Sequence, residues 1–355
     1  MGSKFWPKGG LPGILHHYTE SLVTFEYTSS VPKPHAIIFI GGLGDGLATT
    51  SYMADIVSTL APTPWSLFTL NLSSSYGQWG TGHLDRDTDE LAECISYISA
   101  YKAAQSKNAD ADAKRKVVVM GHSTGSQVVL HYLHRENPHK GSYVFDKDLV
   151  HVKRPVLDGA IMQAPVSDRQ AIHWICKEGF GEKTPAEMQS VYEELLRLAG
   201  EAKSEEGDSL APLKLSSVIY PHPISYRRFL SLCSPDSPEK PGEDDLFSSD
   251  LSDEFLKTTF GMVAERGLLR GKLMVLYSEK DQSVPDYVDK VGLMKRWQKA
   301  ADEGGERVGK EKVWDEEFTA VIPNASHALS NDDQSEPRRF LAEKVLGYLT
   351  RVERE

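Results

Sequence analysis

Five residues near the middle of the chain have the types and spacing of a serine nucleophile held on a sharp turn. Residues 121–125 read Gly-His-Ser-Thr-Gly, the pattern G-x-S-x-G. They follow the apolar segment Lys116–Met120 and precede the helix-prone segment Gln127–Leu133. In such a strand, turn and helix the two glycines allow close approach of the backbone, and the serine hydroxyl projects at the end of a sheet. The sequence therefore predicts a nucleophile elbow with Ser123 as the attacking residue.

Two later segments carry the groups that an attacking serine requires. A serine hydroxyl is a weak nucleophile, so an imidazole must take its proton and a carboxylate must orient that imidazole. Asp281 follows the predicted strand Lys272–Tyr277, and His327 follows the predicted strand Phe318–Ile322. The chain order Ser123, Asp281, His327 is the serine, acid, histidine order of α/β-hydrolases. We therefore predict a catalytic triad in which His327 moves the proton and Asp281 orients the ring.

Other aspartates compete with Asp281 for the role of the acid. Asp168 also follows a predicted strand end, where some α/β-hydrolases place this residue, and it is the second choice. Asp286 is the third choice because it lies close to Asp281 in the chain. Asp158 falls inside the predicted strand Val156–Gln163, where it is expected to face a helix or solvent. The sequence alone leaves the choice between Asp281 and Asp168 open.

A glycine-rich loop supplies candidates for the oxyanion donors, the N–H groups that hold the negative oxygen of a tetrahedral intermediate. One donor in this fold is the N–H of the residue after the nucleophile, here Thr124. The second donor comes from a loop after an earlier strand. Residues 41–46 read Gly-Gly-Leu-Gly-Asp-Gly, and we assign this donor to Leu43, with Gly42 as the alternative. The loop lacks the Gly-Lys-Ser/Thr ending of a P-loop, so we expect no nucleotide site.

Predicted strands and helices alternate along most of the chain, which indicates a mostly parallel sheet with helices on both faces. Functional residues in such a sheet gather at the carboxyl ends of the strands. We therefore expect an α/β-hydrolase fold whose core comprises residues 1–167 and 271–355. The intervening residues 168–270 are far too many for an ordinary connection, and we expect them to form a helical lid over the serine. Three helices are predicted in this lid: 169–177, 184–203 and 253–270.

The lid and the loops around the serine hold the residues most suited to contact a substrate. Residues 220–229 combine aromatic side chains with two arginines, and residues 73–80 carry a tyrosine and a tryptophan after a predicted strand. Packing within the lid or the core is the alternative for both segments. The candidate substrate contacts are Gly42, Tyr76, Trp79, His122, Tyr226 and Arg227.

Charge and composition exclude several classes of partner. The 355 residues carry 51 acidic and 40 basic side chains, a net charge of −11, and no cluster of Lys and Arg alternates with aromatic residues. Nucleic acid is therefore not an expected partner. Since no apolar run reaches about 18 residues, we expect no membrane span, and the N-terminal segment lacks the apolar core of a secretory signal. The three cysteines are too few and too widely spaced for a disulfide framework, which favours a cytoplasmic protein.

Four segments together resemble a eukaryotic α/β-hydrolase family that includes the fungal fusarinine C (siderophore) esterase. They are residues 39–46, 75–80, 121–127 and 163–169, which read F-I-G-G-L-G-D-G, S-Y-G-Q-W-G, G-H-S-T-G-S-Q and Q-A-P-V-S-D-R. The resemblance extends from about Phe25 to the C-terminus. It implies an intracellular serine esterase that hydrolyses the ester bonds of a hydroxamate siderophore of the fusarinine type through an acyl-enzyme, and so helps to release iron.

The expected partner is thus a small ester, and a ferric siderophore fits that description. Any iron would belong to the substrate, because no cluster of His, Cys and carboxylates has the spacing of metal ligands in the sequence. We expect neither a cofactor nor a metal bound by the protein. The alternatives are a carboxylesterase or thioesterase for another small substrate, an acyltransferase, and a non-catalytic binding protein with the same fold.

Overall fold

A central sheet of eight strands organises the protein. The computed structural model describes residues 6–27, 31–105, 115–140, 146, 149–202, 206–310 and 312–355. The strands are β1 Gly13–His17, β2 Val23–Tyr27, β3 His35–Ile40, β4 Trp65–Leu70, β5 Val117–His122, β6 Gly159–Gln163, β7 Leu273–Ser278 and β8 Ala320–Ile322. Their order across the sheet is β1-β2-β4-β3-β5-β6-β7-β8. β1, β2 and β4 pair antiparallel, whereas the strands from β4 to β8 pair in parallel.

Helices cover both faces of the sheet. They are α1 Met53–Leu60, α2 Leu84–Gln105, α3 Thr124–His134, α4 Asp168–Glu178, α5 Pro185–Glu201, α6 Leu213–Ile219, α7 Tyr226–Cys233, α8 Asp253–Thr258, α9 Lys290–Arg307 and α10 Ser335–Arg354. The helices α1 and α10 pack on one face, and α2, α3, α8 and α9 pack on the other. The inner strands are therefore buried on both sides, which explains their continuous apolar runs. This architecture confirms the predicted fold class.

The register of the parallel strands brings several strand ends to one edge of the sheet. Ile40 at the end of β3 pairs with Gly121 in β5, and His122 pairs with Gln163 at the end of β6. Gln163 in turn pairs with Leu276 in β7. The turns after β3, β5, β6, β7 and β8 consequently lie side by side, although the chain visits them far apart.

Five helices, α4 to α8, lie between β6 and β7, in the interval predicted to form a lid. The helices α4 to α7 share a separate hydrophobic cluster, which also includes Trp79 from the loop after β4. We call it the lid cluster because most of its residues lie in the interval predicted to form a lid. The prediction of one helix over 253–270 was wrong in extent. The helix α8 ends at Thr258 because Thr259 leaves the helical conformation, with φ −113° and ψ −88°, and only a short 3-10 turn, Phe260–Met262, follows. Lys203, the predicted end of another helix, lies outside the described residues.

Two further expectations concern the whole chain. Among the residues that the structure describes, no helix is both long and apolar enough to cross a membrane. The three cysteines, Cys94, Cys176 and Cys233, are buried free thiols.

Candidate active site

Ser123 occupies a strained turn between β5 and α3. Its backbone has φ +54° and ψ −121°, a conformation that residues other than glycine rarely adopt. The flanking glycines make this turn possible. A Cβ at Gly121 would lie 2.1 Å from the carbonyl oxygen of Gly125, and a Cβ at Gly125 would lie 2.4 Å from the carbonyl oxygen of Ile40. The G-x-S-x-G spacing is thus a requirement of close backbone packing between β3, β5 and α3.

The structure brings Ser123, His327 and Asp281 together. Nε2 of His327 lies 2.8 Å from Oγ of Ser123, and Nδ1 of the same ring lies 2.8 Å from Oδ2 of Asp281. The Asp281 side chain is fully buried, while His327 is half-buried. Because Nδ1–H donates to the carboxylate, Nε2 is free to accept the serine proton. This geometry can deprotonate a hydroxyl and return the proton to a leaving group.

Neighbouring loops fix the position of the His327 ring. The backbone N–H of His327 donates to the side-chain carbonyl of Gln282 at 3.0 Å. The N–H of Lys280 donates to the carbonyl of Ala325 at 2.9 Å. The loops after β7 and β8 are therefore bonded to each other on both sides of the ring, and Asp281 lies between the two contacts.

The charge state of His327 reflects two opposing effects. Burial lowers the pKa of His327, but the charge of Asp281 and its hydrogen bond outweigh that effect, so the pKa is raised above its usual value. A second imidazole, that of His122, has its ring centre 5.0 Å from the ring centre of His327. Burial first, and then the neighbouring imidazole, lower the pKa of His122. Of the two rings, His327 is therefore the one whose pKa lies above the ordinary histidine value.

The competing aspartates have other partners. Oδ2 of Asp168 accepts a hydrogen bond from Nε2 of Gln127 at 2.7 Å, and burial raises the pKa of Asp168 to about 6 despite this bond. Asp286 is exposed. Asp158 precedes β6 at the opposite end of the sheet, where its Oδ2 accepts from the N–H of Val117 at 2.9 Å. Asp281 is the aspartate that contacts the ring of His327 within hydrogen-bonding distance in the structure.

The loop of residues 41–46 lies directly beside the serine. A Cβ on Gly42 would come within 2.8 Å of the Ser123 Cβ. The N–H of Gly42 donates to Oδ2 of Asp45 at 2.9 Å, and the hydroxyl of Thr49 donates to Oδ1 of the same carboxylate at 2.7 Å. Because Asp45 occupies the amide of Gly42, the next amide, that of Leu43, is the better candidate for binding an oxyanion.

Thr124 supplies the second candidate amide. It is the first residue of α3, so no carbonyl of the helix lies one turn earlier to accept its N–H. The N terminus of a helix also carries a partial positive charge that favours an anion. Leu43 and Thr124 both line a small, partly open cavity of about 30 Å³ beside the serine turn. The two predicted donors thus border one common space.

Tyr76 and Trp79 belong to a 3-10 helix, Tyr76–Thr81, that follows β4. The N–H of Tyr76 donates to the carbonyl of Asp45 at 2.8 Å, and its phenol oxygen accepts from the N–H of Leu47 at 3.0 Å. Trp79 is buried, with its ring centre 5.0 Å from that of Tyr220 in the lid cluster. Tyr76 therefore shapes the glycine loop, while Trp79 packs in the hydrophobic cluster of α4 to α7.

The two lid residues predicted to contact substrate lie at the start of α7. Tyr226 packs partly buried against the lid cluster, and Nε of Arg227 lies 3.4 Å from a carboxylate oxygen of Asp208. The neighbouring Arg228, which was not predicted, is buried and lines the cavity beside Leu43 and Thr124. The sequence could not distinguish the two adjacent arginines, because the orientation in which α7 packs decides which of them points inward.

Arg228 is held by one partner within residues 168–270 and one in the loop after β4. Its Nη1 donates to Asp244 Oδ2 at 2.6 Å, and its Nε donates to the carbonyl of Trp79 at 3.2 Å. Asp87 of α2 also lines the cavity, and burial raises the pKa of Asp87 to about 7. The cavity wall thus combines a buried cation with a carboxyl group whose pKa is raised by burial.

A polar network beneath the serine was also missed. The ring of His122 donates from Nδ1 to Oε1 of Gln163 at 2.5 Å, and the hydroxyl of Tyr52 donates to the same oxygen at 2.8 Å. His122 is buried under the turn, and a Cβ added to Gly42 would come within 3.3 Å of its ring. This network fixes the position of His122, the residue before the nucleophile. It could not be predicted from the sequence because its members are far apart in the chain.

Comparison with known proteins gives the chain its family. Residues 5–350 match the family model described as "Protein of unknown function (DUF1749)". The fusarinine C esterase sidJ of Aspergillus fumigatus is 62% identical over 356 residues, covering 99% of both chains. The esterase AN6793 of Emericella nidulans is 47% identical over 362 residues, covering 98% of this chain and 94% of the relative.

Solved structures agree with this assignment. The siderophore hydrolase EstB from Aspergillus fumigatus has 60% sequence identity and a TM-score of 0.86, covering 98% of this chain and 99% of that one. A soluble variant of monoglyceride lipase from Saccharomyces cerevisiae shares only the fold, with 10% identity and a TM-score of 0.54 over 96% and 94% of the two chains. The resemblance inferred from the sequence motifs is confirmed, and the chain belongs to the DUF1749 family, with an α/β-hydrolase fold.

Proposed function

We propose that this protein is a serine esterase that hydrolyses the ester bonds of a hydroxamate siderophore of the fusarinine type. The observation that carries the proposal is the line of hydrogen bonds from Ser123 through His327 to Asp281. The substrate class is supported by 62% identity to a protein named fusarinine C esterase and 60% identity to one named siderophore hydrolase.

The proposed reaction proceeds through an acyl-enzyme. Oγ of Ser123 attacks the ester carbonyl carbon while Nε2 of His327 takes the hydroxyl proton. The tetrahedral intermediate collapses, the alcohol leaves with the proton from His327, and the acyl group remains on Ser123. A water molecule then gives a proton to His327 and attacks the acyl carbon, which releases the acid and restores the serine. Asp281 stabilises the imidazolium in both steps and stays ionised.

The proposed oxyanion donors are the amides of Leu43 and Thr124. The carbonyl oxygen of the ester becomes negatively charged in each tetrahedral intermediate, and fixed N–H groups stabilise that charge without reorganisation. The hydrogen bond from Gly42 to Asp45 supports the choice of Leu43, because it holds the preceding peptide in one orientation. Iron takes no part in these steps and enters only as cargo of the substrate.

We propose that residues 168–270 act as a lid that selects the substrate. The lid helices reach the site through Arg228, which lines the cavity next to Leu43 and Thr124. That cavity, at about 30 Å³, holds little more than a water molecule. We propose that the lid moves relative to the glycine loop when a siderophore ester binds. We further propose that the reaction occurs in the cytoplasm, which the three free thiols support.

The test is a comparison of substrates on the purified protein. Cyclic and linear hydroxamate esters, each ferrated and iron-free, are assayed beside a short-chain ester and a thioester, with products identified by mass spectrometry. We expect kcat/KM for a hydroxamate ester to exceed that for the short-chain ester at least about tenfold. We expect Ser123→Ala to abolish turnover of both.

Three other outcomes would contradict this proposal. Turnover of only the short-chain ester or the thioester would identify an esterase or thioesterase for another substrate. Transfer of the acyl group to an added alcohol or amine, in preference to water, would identify an acyltransferase. Failure of a fluorophosphonate probe to label Ser123, with no turnover of any ester, would identify a binding protein that retains the fold.

A further inference from the structure

A second cluster of chemically active side chains lies at the far end of the nucleophile helix. Asp85 is in the first turn of α2, His131 is in the last turn of α3, and His139 follows α3 in the chain. His131 is eight positions after Ser123, or roughly 12 Å along a helix that rises 1.5 Å per residue. The cluster is therefore outside the ester site, and the proposed esterase mechanism uses none of its members.

The donor atoms of these three residues converge. Nε2 of His131 lies 2.5 Å from Oδ1 of Asp85, and Nδ1 of His139 lies 3.3 Å from the same oxygen. One ligand atom from each residue lies within 4.8 Å of the other two, and all three residues are buried. Two imidazoles and one carboxylate are a donor set that divalent transition metals bind.

A fourth donor stands beside the three. Oε1 of Glu243 lies 3.4 Å from Nε2 of His131 and has no hydrogen-bond partner among the described residues. In a tetrahedral zinc site with bonds of about 2.0–2.1 Å, neighbouring ligand atoms are about 3.3–3.4 Å apart. Two of the observed separations already have this value. The short contact between Asp85 and His131 is a hydrogen bond that an ion would replace and widen.

We propose that Asp85, His131 and His139, together with Glu243, form a binding site for one divalent transition-metal ion of the Zn²⁺ type. The proposal does not depend on the esterase activity. Burial raises the pKa of Glu243 to about 8, so binding of the ion would release its proton, and the two carboxylates would then match the ion in charge. The C-terminal end of α3 adds the partial negative charge of its free carbonyls. An open cavity of about 710 Å³, lined in part by His131, His139 and Glu243, gives the ion a path to the buried ligands.

Two arginines lie next to the proposed ligands of the site. Arg154 contacts the other ring nitrogen of His139, at 3.0 Å, and also donates to the carbonyl of Arg135. Nε of Arg135 lies 3.9 Å from Oδ1 of Asp85. Without an ion, Asp85 can hold both imidazoles by hydrogen bonds. Nη1 of Arg154 also lies 3.4 Å from Nδ1 of His139, so an ion bound at that nitrogen would displace this contact and leave the guanidinium on the other ring nitrogen.

The consequence of binding is mechanical. The ion would join α2, α3 and the segment that contains Glu243, which precedes Asp244, the partner of Arg228. One ligation would thus tie the helix that begins at the nucleophile to the lid. We expect the ion to stabilise the folded protein rather than to act on the ester, since about 12 Å separates it from Ser123.

The experiment measures metal binding directly on the full chain, purified without a polyhistidine tag. After chelator treatment and dialysis, Zn²⁺ is titrated by calorimetry, retained metal is counted by mass spectrometry, and Co²⁺ is added as a spectroscopic probe. We expect one Zn²⁺ per chain, the visible absorption of tetrahedral Co²⁺, and a higher melting temperature with Zn²⁺ by a few degrees. Asp85→Asn and His139→Gln should weaken Zn²⁺ binding at least about tenfold.

His151→Gln is the matched control. Its ring centre lies 5.3 Å from that of His139, but its Nδ1 pairs with Asp89, so it is a neighbouring half-buried histidine outside the donor set. We expect this variant to bind Zn²⁺ like the wild type. Absence of stoichiometric Zn²⁺ on the wild-type chain would overturn the proposal even if a variant failed to fold. Equal binding by wild type, Asp85→Asn and His139→Gln would overturn it as well.

Discussion

Nε2 of His327 lies 2.8 Å from the hydroxyl of Ser123, although 204 positions separate the two residues in the chain. The contact exists because β5 and β8 belong to one sheet and end at the same edge. The ring is oriented from its other side by Asp281, at 2.8 Å. Since the base, its orienting acid and the nucleophile lie on three different loops, each can be tested by a separate substitution.

The first prediction concerns the nucleophile. Ser123→Ala removes the attacking hydroxyl, so we expect kcat for a hydrolysed ester to fall by at least about 10³-fold and covalent labelling by a fluorophosphonate to disappear. The control is Ser326→Ala, which removes a buried hydroxyl that has no hydrogen-bond partner among the described residues. Stoichiometric labelling of the Ser123→Ala protein would show that another residue is the nucleophile.

The second prediction separates the two candidate acids. Asp281→Asn keeps the shape of the side chain but stabilises the wrong tautomer of His327, and we expect kcat to fall by about 10⁴-fold. Asp168→Asn can still accept from Gln127, so we expect less than about a tenfold change. Rates measured on both variants under identical conditions decide the matter. A larger loss in Asp168→Asn would reverse the two roles.

The third prediction is the pH dependence of kcat/KM. His327 must be neutral to accept the serine proton, so the rate rises with pH as this imidazole loses its proton. The raised pKa of His327 places the midpoint of that rise above the ordinary histidine value of about 6.5. In Asp281→Asn the midpoint should move to lower pH, because burial then acts without the opposing carboxylate. An unchanged midpoint would mean that another group controls the profile.

The fourth prediction concerns the glycine loop. Asp45→Ala removes the acceptor of the Gly42 amide, so the Leu43 amide loses its fixed direction. Loss of one oxyanion donor costs about 10² to 10³ in rate, and we expect kcat to fall toward that range while KM changes little. Thr49→Ala removes the bond to the other oxygen of Asp45 and the bond from the Gly46 amide but keeps the bond from Gly42 to Asp45, so it should cost much less. Steady-state kinetics on the two variants test this role. An equal loss of activity in both would mean that Asp45 only maintains the structure of the loop and does not orient the Leu43 amide.

The fifth prediction concerns stability. In Gly125→Ala the new methyl group would lie 2.4 Å from the carbonyl oxygen of Ile40, a backbone atom that cannot move without shifting β3. We expect a lower melting temperature and a disrupted elbow. Gly200→Ala is the control, since nothing lies within 4 Å of its new methyl group in α5, and it should raise stability by about 0.5–1 kcal/mol. Thermal unfolding of the two variants should therefore shift in opposite directions.

Sequence reasoning worked best where the signal was local. The predicted strand Trp65–Leu70 coincides with β4, because a buried parallel strand is a short apolar run that few other structures produce. The turns that follow such strands could then be placed at one edge of the sheet. This is why Ser123, Asp281 and His327 could be selected before the structure was known.

The hydrophobic pattern of the sequence did not indicate helices in which charged residues lie between the apolar ones. The helices α9 and α10 were not predicted, although α10 buries Leu341, Val345 and Leu349 at helical spacing. Charged side chains fill the positions between them and hide the pattern. Neither the inward direction of Arg228 nor the bond between Gly42 and Asp45 could be predicted, because each depends on how packed elements are oriented.

The short 3-10 helix Tyr76–Thr81 touches both the lid and the glycine loop, and this double attachment has a consequence for turnover. Trp79 is embedded in the lid cluster, while Tyr76 holds the carbonyl of Asp45. Under the proposal that residues 168–270 move to admit a bulky ester, their movement would pass through this short bridge to the glycine loop that carries the Leu43 amide. We therefore expect substrate entry and ester hydrolysis to alternate, with the oxyanion donors in place only after those residues have returned.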